Sequence, residues 1–306
     1  MGGKFKGRDI ISIRDLSKAD LLAILDAAKK LDQKPKRDLM VSKVLATLFF
    51  EPSTRTRLSF MSAMERMGGK VLGFENTEVT SVKKGETLWD TIKMVAQYAD
   101  VIVQRHPTEG AARLAAEASS VPVINAGDGA NQHPTQTLLD LYTIRKEKAK
   151  LDNLNIAFVG DLKYGRTVHS LCIALSHFRT KLYFIAPEAL QMPKSYLGDL
   201  DNKKIPYIVE QDLMKVAPDL DVIYMTRIQK ERFPDPVEYN KLKGVYRIDK
   251  SLLGHTKKDV RIMHPLPRVD EINTDLDDFP QAAYFRQAGN GIPVRQAVIA
   301  LVSGMM

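Results

Sequence analysis

Residues 44–57 read VLATLFFEPSTRTR, an apolar run that passes directly into hydroxyl and arginine residues. The run Val44–Phe50 lacks the alternation of polar and apolar residues that marks a half-exposed strand, so it predicts a strand covered on both faces. The polar residues lead into Leu58–Met67, where apolar residues recur at helical spacing. A buried strand, a polar loop and a helix in this order are typical of a parallel α/β sheet.

The same alternation of strand and helix continues along the chain. Apolar runs predict further strands at Val71–Phe74, Asp100–Gln104, Val121–Asn125, Asn155–Gly160, Lys181–Ala186, Asp221–Met225 and Val260–Met263. Helical periodicity predicts helices at Leu88–Ala99, Thr135–Ile144 and Thr167–Phe178, and Pro293–Ser303 predicts a final helix with a proline in its first turn. The chain therefore belongs to the α/β class, with parallel sheets covered by helices on both faces.

The length of 306 residues suggests two domains. The best boundary lies near Glu147–Leu154, where a basic helix end precedes a new strand, loop and helix. Periodicity alone does not decide whether the final helix stays with the second half or returns to the first.

Composition excludes several classes of protein. The longest apolar run is too short to cross a bilayer, and the first nine residues lead into no apolar secretory segment, so we expect a cytoplasmic protein without a membrane partner. A single cysteine, Cys172, excludes an internal disulfide and a thiolate-rich zinc site. No histidine spacing indicates metal ligands, so we expect no metal.

Arginine residues mark the predicted ends of the strands. Ligands of open parallel sheets bind beyond these carboxyl ends, and the arginines found there are Arg55, Arg105, Arg166, Arg227 and Arg268. The guanidinium group is a rigid fork of donors that suits carboxylate and phosphate oxygens. Several such groups on one rim would repel one another, so the pattern predicts substrates that carry several negative charges.

Two polar stretches stand at predicted helix starts. In Ser53–Arg57, free backbone N–H groups and Arg55 can bind a phosphate. An ordinary helix cap with solvated arginines would explain the same residues. In His133-Pro134-Thr135-Gln136, His133 could donate to a developing oxyanion and Gln136 could recognise an amide-like group. Capping roles alone would explain this second stretch as well.

Two further motifs are ambiguous. Gly160–Thr167 is one residue away from a phosphate loop, but Arg166 stands where that pattern requires lysine, which argues against nucleotide hydrolysis. The loop Ser81–Glu86 is either a solvated surface loop or one that presents a single lysine of the pair Lys83-Lys84 to a neighbouring site.

A net charge of +8 also permits a nucleic-acid partner. RNA binding would predict base-stacking aromatic residues among the basic ones, whereas the strand ends combine arginine with hydroxyl groups. We therefore expect no nucleic-acid partner.

Taken together, the motifs resemble the carbamoyltransferase family, and within it the branch that acts on aspartate. The stretches that carry the resemblance occur in the family's order and span nearly the whole chain: residues 50–57, 81–86, 105–107, 125–129, 133–136, 160–167, 225–232 and 264–268. The ornithine branch typically has a cysteine where this chain has Pro265. A cationic ornithine side chain would also be repelled by Arg166 and Arg227, so ornithine is the less favoured acceptor.

The resemblance implies transfer of a carbamoyl group from carbamoyl phosphate to the α-amine of L-aspartate, an early step of de novo pyrimidine biosynthesis, without a cofactor. It implies two doubly wound parallel-sheet domains with the active site in the cleft between them. Residues 1–132 would bind carbamoyl phosphate together with a returning helix at 290–306, residues 133–150 would connect, and residues 151–289 would bind aspartate. The family also forms homotrimers with shared active sites, some of which assemble with zinc-bearing regulatory chains into allosteric holoenzymes.

The resemblance also assigns roles to individual residues. Carbamoyl phosphate would be bound by Ser53, Thr54, Arg55, Thr56, Arg105, His133, Gln136, Leu266 and Pro267. Aspartate would be bound by Lys84, Arg166, Arg227 and Gln229. The catalytic residues would be His133, Arg105, Thr56 and Lys84, with Lys84 provided by the neighbouring subunit.

Two details accompany these assignments. The family's loop also provides a serine to the neighbouring site, which an ungapped match places at Thr80 and chemistry places at Ser81. In the family, the peptide bond equivalent to Leu266–Pro267 is cis, which costs little before a proline.

Overall fold

The computed structural model describes residues 2–75, 81–228 and 245–306. The chain forms two compact units, one comprising Met1–Tyr142 with Asn290–Met306 and the other comprising Thr143–Gly289. Each unit contains its own parallel sheet with helices.

The first unit contains a four-stranded parallel sheet. Its strands are β1 (Val44–Phe49), β2 (Lys70–Phe74), β3 (Val101–His106) and β4 (Val123–Asp128), in the spatial order β2-β1-β3-β4. The helices are α1 (Lys18–Gln33), α2 (Thr54–Glu65), α3 (Leu88–Val95), α4 (Ala111–Ala118) and α5 (Pro134–Lys148), whose last residues belong to the second unit.

The second unit contains a five-stranded parallel sheet. Its strands are β5 (Leu154–Val159), β6 (Thr180–Ile185), β7 (Tyr207–Glu210), β8 (Val222–Met225) and β9 (Arg261–Met263), in the order β7-β6-β5-β8-β9. Its helices include α6 (Arg166–Leu175), α7 (Lys194–Asn202) and α8 (Tyr284–Gly289). The last helix, α9 (Gly291–Val302), lies in the first unit and packs against α1 and α2.

The order of strands places a topological switch point in each sheet. In the first sheet the chain leaves β1 toward β2 and then resumes at β3 on the other side of β1. In the second sheet it leaves β5 toward β6 and β7 and then resumes at β8. Loops that follow such strands diverge to opposite faces, which opens a crevice for ligands at the carboxyl ends. The segments that begin at Glu51 and at Gly160 therefore start at the two switch points.

The predicted class and the eight predicted strands are confirmed, with ends that shift by up to three residues. The strand β7 was not predicted, because it lies at the edge of its sheet and its side chains are partly exposed. The helix α2 begins at Thr54, four residues before the apolar segment Leu58–Met67, so the predicted helix start within Ser53–Arg57 is confirmed. Thr54, Arg55 and Thr56 therefore lie in the first turn of the helix.

The helix α9 is almost completely buried. Its residues are apolar except for Arg295 and Gln296, which lie near its centre and are buried as well. It is only 12 residues long. Across the described ranges, no helix combines the length and the apolar character that a bilayer-spanning segment needs.

Gly160 is required where β5 meets β8. It has φ +115°, and an added Cβ atom would lie 2.3 Å from the carbonyl oxygen of Thr226. We expect Gly160→Ala to lower the free energy of unfolding by roughly 1–3 kcal/mol through backbone strain alone, measured by denaturant titration. The matched control is Gly198→Ala within α7, where the added methyl group meets no atom within 4 Å and alanine favours the helix. A Gly160→Ala protein as stable as the wild type would contradict this interpretation.

Candidate active site

The first turn of α2 forms one side of the candidate site in the first unit. Ser53 is the residue that precedes the helix, and its side chain makes no capping hydrogen bond. The first turn contains no acidic residue. Thr54 and Arg55 are exposed, whereas Thr56 is buried. The free N–H groups of a helix start attract anions, so this turn combines backbone donors, hydroxyl groups and a guanidinium group in one place.

Arg105, near the end of β3, faces the same switch point. Its Nη1 donates to the carbonyl of Ala126 at 3.1 Å, and its Nη2 lies 2.7 Å from Oε1 of Glu51. Burial lowers the pKa of Arg105; Glu51 opposes this effect, and the charge of Arg55 adds to it. The guanidinium groups of Arg55 and Arg105 are therefore close enough to repel each other, and a bound anion would relieve that repulsion.

A buried carboxylate orders the loop that follows β4. Asp128 accepts hydrogen bonds from the side chains of Asn125 and Asn131, each at 3.0 Å, and from the backbone N–H groups of Gln132 at 3.0 Å and Gly110 at 3.1 Å. These four donors satisfy most of the acceptor capacity of a carboxylate. The network fixes the backbone immediately before His133.

His133 and Gln136 stand at the start of α5. The carbonyl of His133 accepts from the backbone N–H of Thr137 at 3.2 Å, and Pro134 is the first helical residue. The side chain of His133 is buried, and that of Gln136 is partly buried with its Nε2 donating to Oδ1 of Asp140 at 2.9 Å. The structure therefore confirms that this stretch begins a helix.

In the second unit, two arginines follow the neighbouring strands of the switch point. Arg166 begins α6 after the loop that leaves β5, and Arg227 follows β8. The hydroxyl group of Thr226 accepts from the backbone N–H of Asp161 at 3.0 Å and donates to the carbonyl of Val159 at 3.2 Å. Thr226 thereby ties the loop that leads to Arg166 to the segment that contains Arg227.

A turn after β9 belongs to the same end of this sheet. The Leu266–Pro267 peptide bond is cis, and the N–H of Leu266 donates to Nδ1 of His264 at 2.8 Å. Nε2 of His264 lies 2.7 Å from Oε1 of the buried Glu271. Because Nδ1 accepts a hydrogen bond, Nε2 carries the ring proton, and this nitrogen is the one that faces the carboxylate.

The charges around His264 also bring Arg227 into this cluster. Burial lowers the pKa of His264, Glu271 opposes this effect, and the charges of Arg227 and Arg268 add to it. Burial alone would raise the pKa of Glu271, but the hydrogen bond from His264 lowers it. The neutral imidazole and the ionised carboxylate agree with the geometry, and the charge of Arg227 acts on His264.

The remaining predicted residues differ in where the structure places them. Arg268 forms a two-pronged ion pair with Asp277 and contacts the hydroxyl group of Tyr284, so its main role is to stabilise this part of the second unit. Ser81–Lys84 forms a short 3-10 turn in which Ser81 and Lys84 are exposed. Thr80 and Gln229 lie outside the described residues, so their assignments stay predictions.

Several supporting residues were missed by sequence reasoning, including Glu51, Asp140, His264 and Glu271. Asp140 follows Gln136 by four residues on a predicted helix, and this spacing places both side chains on one face. The contact between them could therefore have been predicted from the sequence. Glu271 lies in a loop, where no periodicity could connect it with His264. In the part of the chain that the structure describes, no group of three or more His, Cys, Asp or Glu side chains is placed to hold a metal ion.

Family patterns match both halves of the chain. The pattern described as "Aspartate/ornithine carbamoyltransferase, carbamoyl-P binding domain" matches residues 8–146, and the corresponding "Asp/Orn binding domain" matches residues 152–302. The chain belongs to the aspartate/ornithine carbamoyltransferase family. The resemblance found in the sequence is thus confirmed.

Individual carbamoyltransferases are similar over the full length. Proteins named aspartate carbamoyltransferase catalytic subunit from Thermococcus onnurineus and Thermococcus kodakarensis are 55% and 56% identical, over 99% of both chains in each pair. The crystallised catalytic subunit of aspartate transcarbamoylase from M. jannaschii has a TM-score of 0.90 and 54% identity, with 96% of this chain and 97% of that chain covered. The enzyme from Trypanosoma cruzi in complex with carbamoyl phosphate and aspartate has a TM-score of 0.90 and 39% identity, with coverages of 98% and 96%.

Buried histidines predict a loss of stability in acid. Burial lowers the pKa values of His106, His169 and His264 below the ordinary value of 6.5, so the unfolded chain binds more protons than the folded one below that pH. The stabilisation is complete above about pH 6.5 and decreases as the pH falls. We expect the denaturation midpoint to decrease between pH 7.5 and pH 5.5.

The variant His264→Asn isolates one of these contributions. The Asn oxygen can still accept from Leu266 but does not titrate, so the pH dependence should become smaller. His255→Asn is the matched control, because the side chain of His255 is exposed. An unchanged pH dependence in His264→Asn would contradict the assignment of a neutral imidazole.

Proposed function

We propose that this protein transfers the carbamoyl group of carbamoyl phosphate to the α-amine of L-aspartate, giving N-carbamoyl-L-aspartate and phosphate in de novo pyrimidine biosynthesis. The observation that carries the proposal is the pair Arg55 and Arg105, whose repelling charges lie beside an acid-free helix start at a switch point. Full-length relatives named for this activity, and the Trypanosoma cruzi enzyme crystallised with both substrates, support it.

The first unit would bind the phosphate group. Ser53, Thr54, Arg55 and Thr56 would offer hydroxyl and backbone donors at the start of α2, and Arg105 would add a second guanidinium. The partially buried position of Arg105 strengthens its attraction for an anion, because burial reduces screening by water. Glu51 neutralises part of this charge while the site holds no phosphate.

The carbamoyl group would be recognised by hydrogen-bond donors at its oxygen and by hydrogen-bond acceptors at its amino group. His133, Arg105 and Thr56 would donate to its carbonyl oxygen and stabilise the negative charge that develops there. Gln136 and the backbone carbonyls of Leu266 and Pro267 would accept hydrogen bonds from its amino group. A donor set and an acceptor set on opposite sides of a planar group orient it for attack.

Aspartate would be bound by the second unit and by a neighbouring chain. Arg166 and Arg227 suit its two carboxylates, and Gln229 and Lys84 would complete the set. The neutral α-amine forms a bond to the carbamoyl carbon, the bond from that carbon to the phosphate oxygen breaks, and the amine proton leaves with the phosphate. This transfer needs neither a covalent enzyme intermediate nor a cofactor.

We also propose that the chain forms a homotrimer in which Lys84, with Ser81 or Thr80, serves the site of a neighbour. The support is a set of large apolar side chains that are exposed in the first unit: Leu58, Leu72, Trp89, Met94 and Tyr98. In addition, β2 is an edge strand of the sheet. Association with zinc-bearing regulatory chains and a cytoplasmic location stay predictions of the resemblance.

The reaction is tested by offering aspartate and ornithine in parallel with carbamoyl phosphate. We expect turnover with aspartate, and we expect His133→Ala to reduce kcat by about 10²–10³ because an oxyanion donor is lost. His255→Ala, at an exposed position of the second unit, is the control. Preferential turnover of ornithine, or an unimpaired His133→Ala protein, would overturn the assignment.

Shared sites are tested by mixing two inactive proteins. Chains with Lys84→Ala and chains with Arg105→Ala should each lose activity, because each lacks one cation of the site. When they are unfolded together and refolded, some sites should receive both intact residues, so activity should return together with the mass of a trimer. A mixture that stays inactive while forming trimers would show that Lys84 serves its own chain.

A further inference from the structure

Gln136 is held in one orientation by a residue that the proposed reaction does not use. Its Nε2 donates to Oδ1 of Asp140 at 2.9 Å, and Asp140 lies one helical turn further along α5 with its side chain fully buried. An ionised carboxylate can only accept hydrogen bonds. The amide nitrogen of Gln136 must therefore face Asp140, which turns the amide oxygen away from it.

This orientation matters for the chemistry of the proposed site. The amino group of carbamoyl phosphate has two N–H donors, so its partner on Gln136 has to be the oxygen. With the amide turned over, an NH₂ group would meet an NH₂ group and the contact would be repulsive. The free energy difference between the two orientations thus decides whether Gln136 recognises the substrate.

A buried cation acts electrostatically on Asp140. Arg295 in α9 is buried, its guanidinium carbon lies 5.0 Å from the ring centre of Phe60 in α2, and it attracts Asp140 electrostatically. Burial lowers the pKa of Arg295 to about 10, and Asp140 offsets part of that effect. Arg295 is therefore cationic at neutral pH, and its charge attracts Asp140.

The backbone of α9 leaves room for this cation. A Cβ atom at Gly291 would lie 2.1 Å from Nη1 of Arg295. Gly291 belongs to the same helix and stands one turn before Arg295. A larger residue at this position would displace the guanidinium group from its place over Phe60 of α2.

We propose that Asp140 and Arg295 are positioning residues that fix the amide oxygen of Gln136 toward the amino group of carbamoyl phosphate, and thereby select a carbamoyl over an acyl donor. The inference rests on the proposed function, because it needs Gln136 to bind that amino group. It assigns a specificity role to the C-terminal helix, which contacts no substrate in the proposed mechanism.

The decisive variant neutralises both charges at once. Asp140→Leu with Arg295→Met removes the pair without leaving a buried charge unpaired, and such replacements often preserve stability. We expect a melting temperature close to that of the wild type, and a KM for carbamoyl phosphate raised about tenfold, the cost of one misplaced hydrogen bond. A folded double variant with an unchanged KM would overturn the proposal.

Acetyl phosphate provides a readout that a purely structural role would not change. It has a methyl group in place of the amino group, so it cannot donate to Gln136. We expect the double variant to lose affinity for carbamoyl phosphate but to keep its inhibition constant for acetyl phosphate, which reduces the discrimination between the two about tenfold. An equal loss for both compounds would indicate general damage to the site and would contradict the proposal.

A double-mutant cycle separates the two residues from general stability. Asp140→Asn should raise the KM in the wild-type background but should have no further effect in a Gln136→Leu background, because the amide is already absent. Asp20→Asn is the matched control, since Asp20 is a buried aspartate of the same unit that pairs with Lys4 and Arg8. It should lower the melting temperature without changing the KM. A wild-type protein that does not transfer carbamoyl groups would instead refute the proposed function itself.

Discussion

Repulsion between like charges at the carboxyl ends of parallel strands is the constraint on which the candidate site depends. Arg55 lies in the first turn of α2, which follows β1, and Arg105 lies near the end of the neighbouring strand β3, where the charge of Arg55 adds to the effect of burial in lowering its pKa. Glu51 offsets part of that effect. Because the site brings positive charges together, a bound dianion would interact favourably with both guanidinium groups. The second sheet also has two arginines, Arg166 and Arg227, after the neighbouring strands of its switch point.

Buried polar groups behind the site determine where its donors and acceptors point. Asp128 orders the loop before His133, Asp140 orients Gln136, and Glu271 acts through His264 on the backbone of Leu266. Each is a carboxylate, and a carboxylate can only accept, so the donor side of its partner is fixed without ambiguity. Charges in such places are costly unless they are paired or hydrogen-bonded. These networks fix the geometry of His133, Gln136 and the backbone of Leu266.

Much of the fold could be predicted from the sequence because its central strands are buried on both faces. Apolar runs without alternation, such as Val44–Phe50 and Lys181–Ala186, identify such strands by composition alone. The edge strand β7 gave no comparable signal; it has only four residues, and their side chains are partly exposed. Hydrophobic periodicity indicates α2 only from Leu58, because Thr54 to Arg57 is polar throughout. The hydroxyl residues before it indicated the helix start, and the helix begins at Thr54 beside the switch point.

The sequence by itself determined the class of the fold, the arginines at the strand ends and the family, because these depend on residue types and on their order. It also pointed to anionic substrates, since several guanidinium groups at one kind of position need negative partners. Only the tertiary structure decided that Arg268 pairs with an aspartate nine residues away. It alone showed that Arg295 acts electrostatically on Asp140 and that His264 approaches Glu271. Such pairs form between separate elements, and hydrogen-bond direction and burial exist only once the chain has folded.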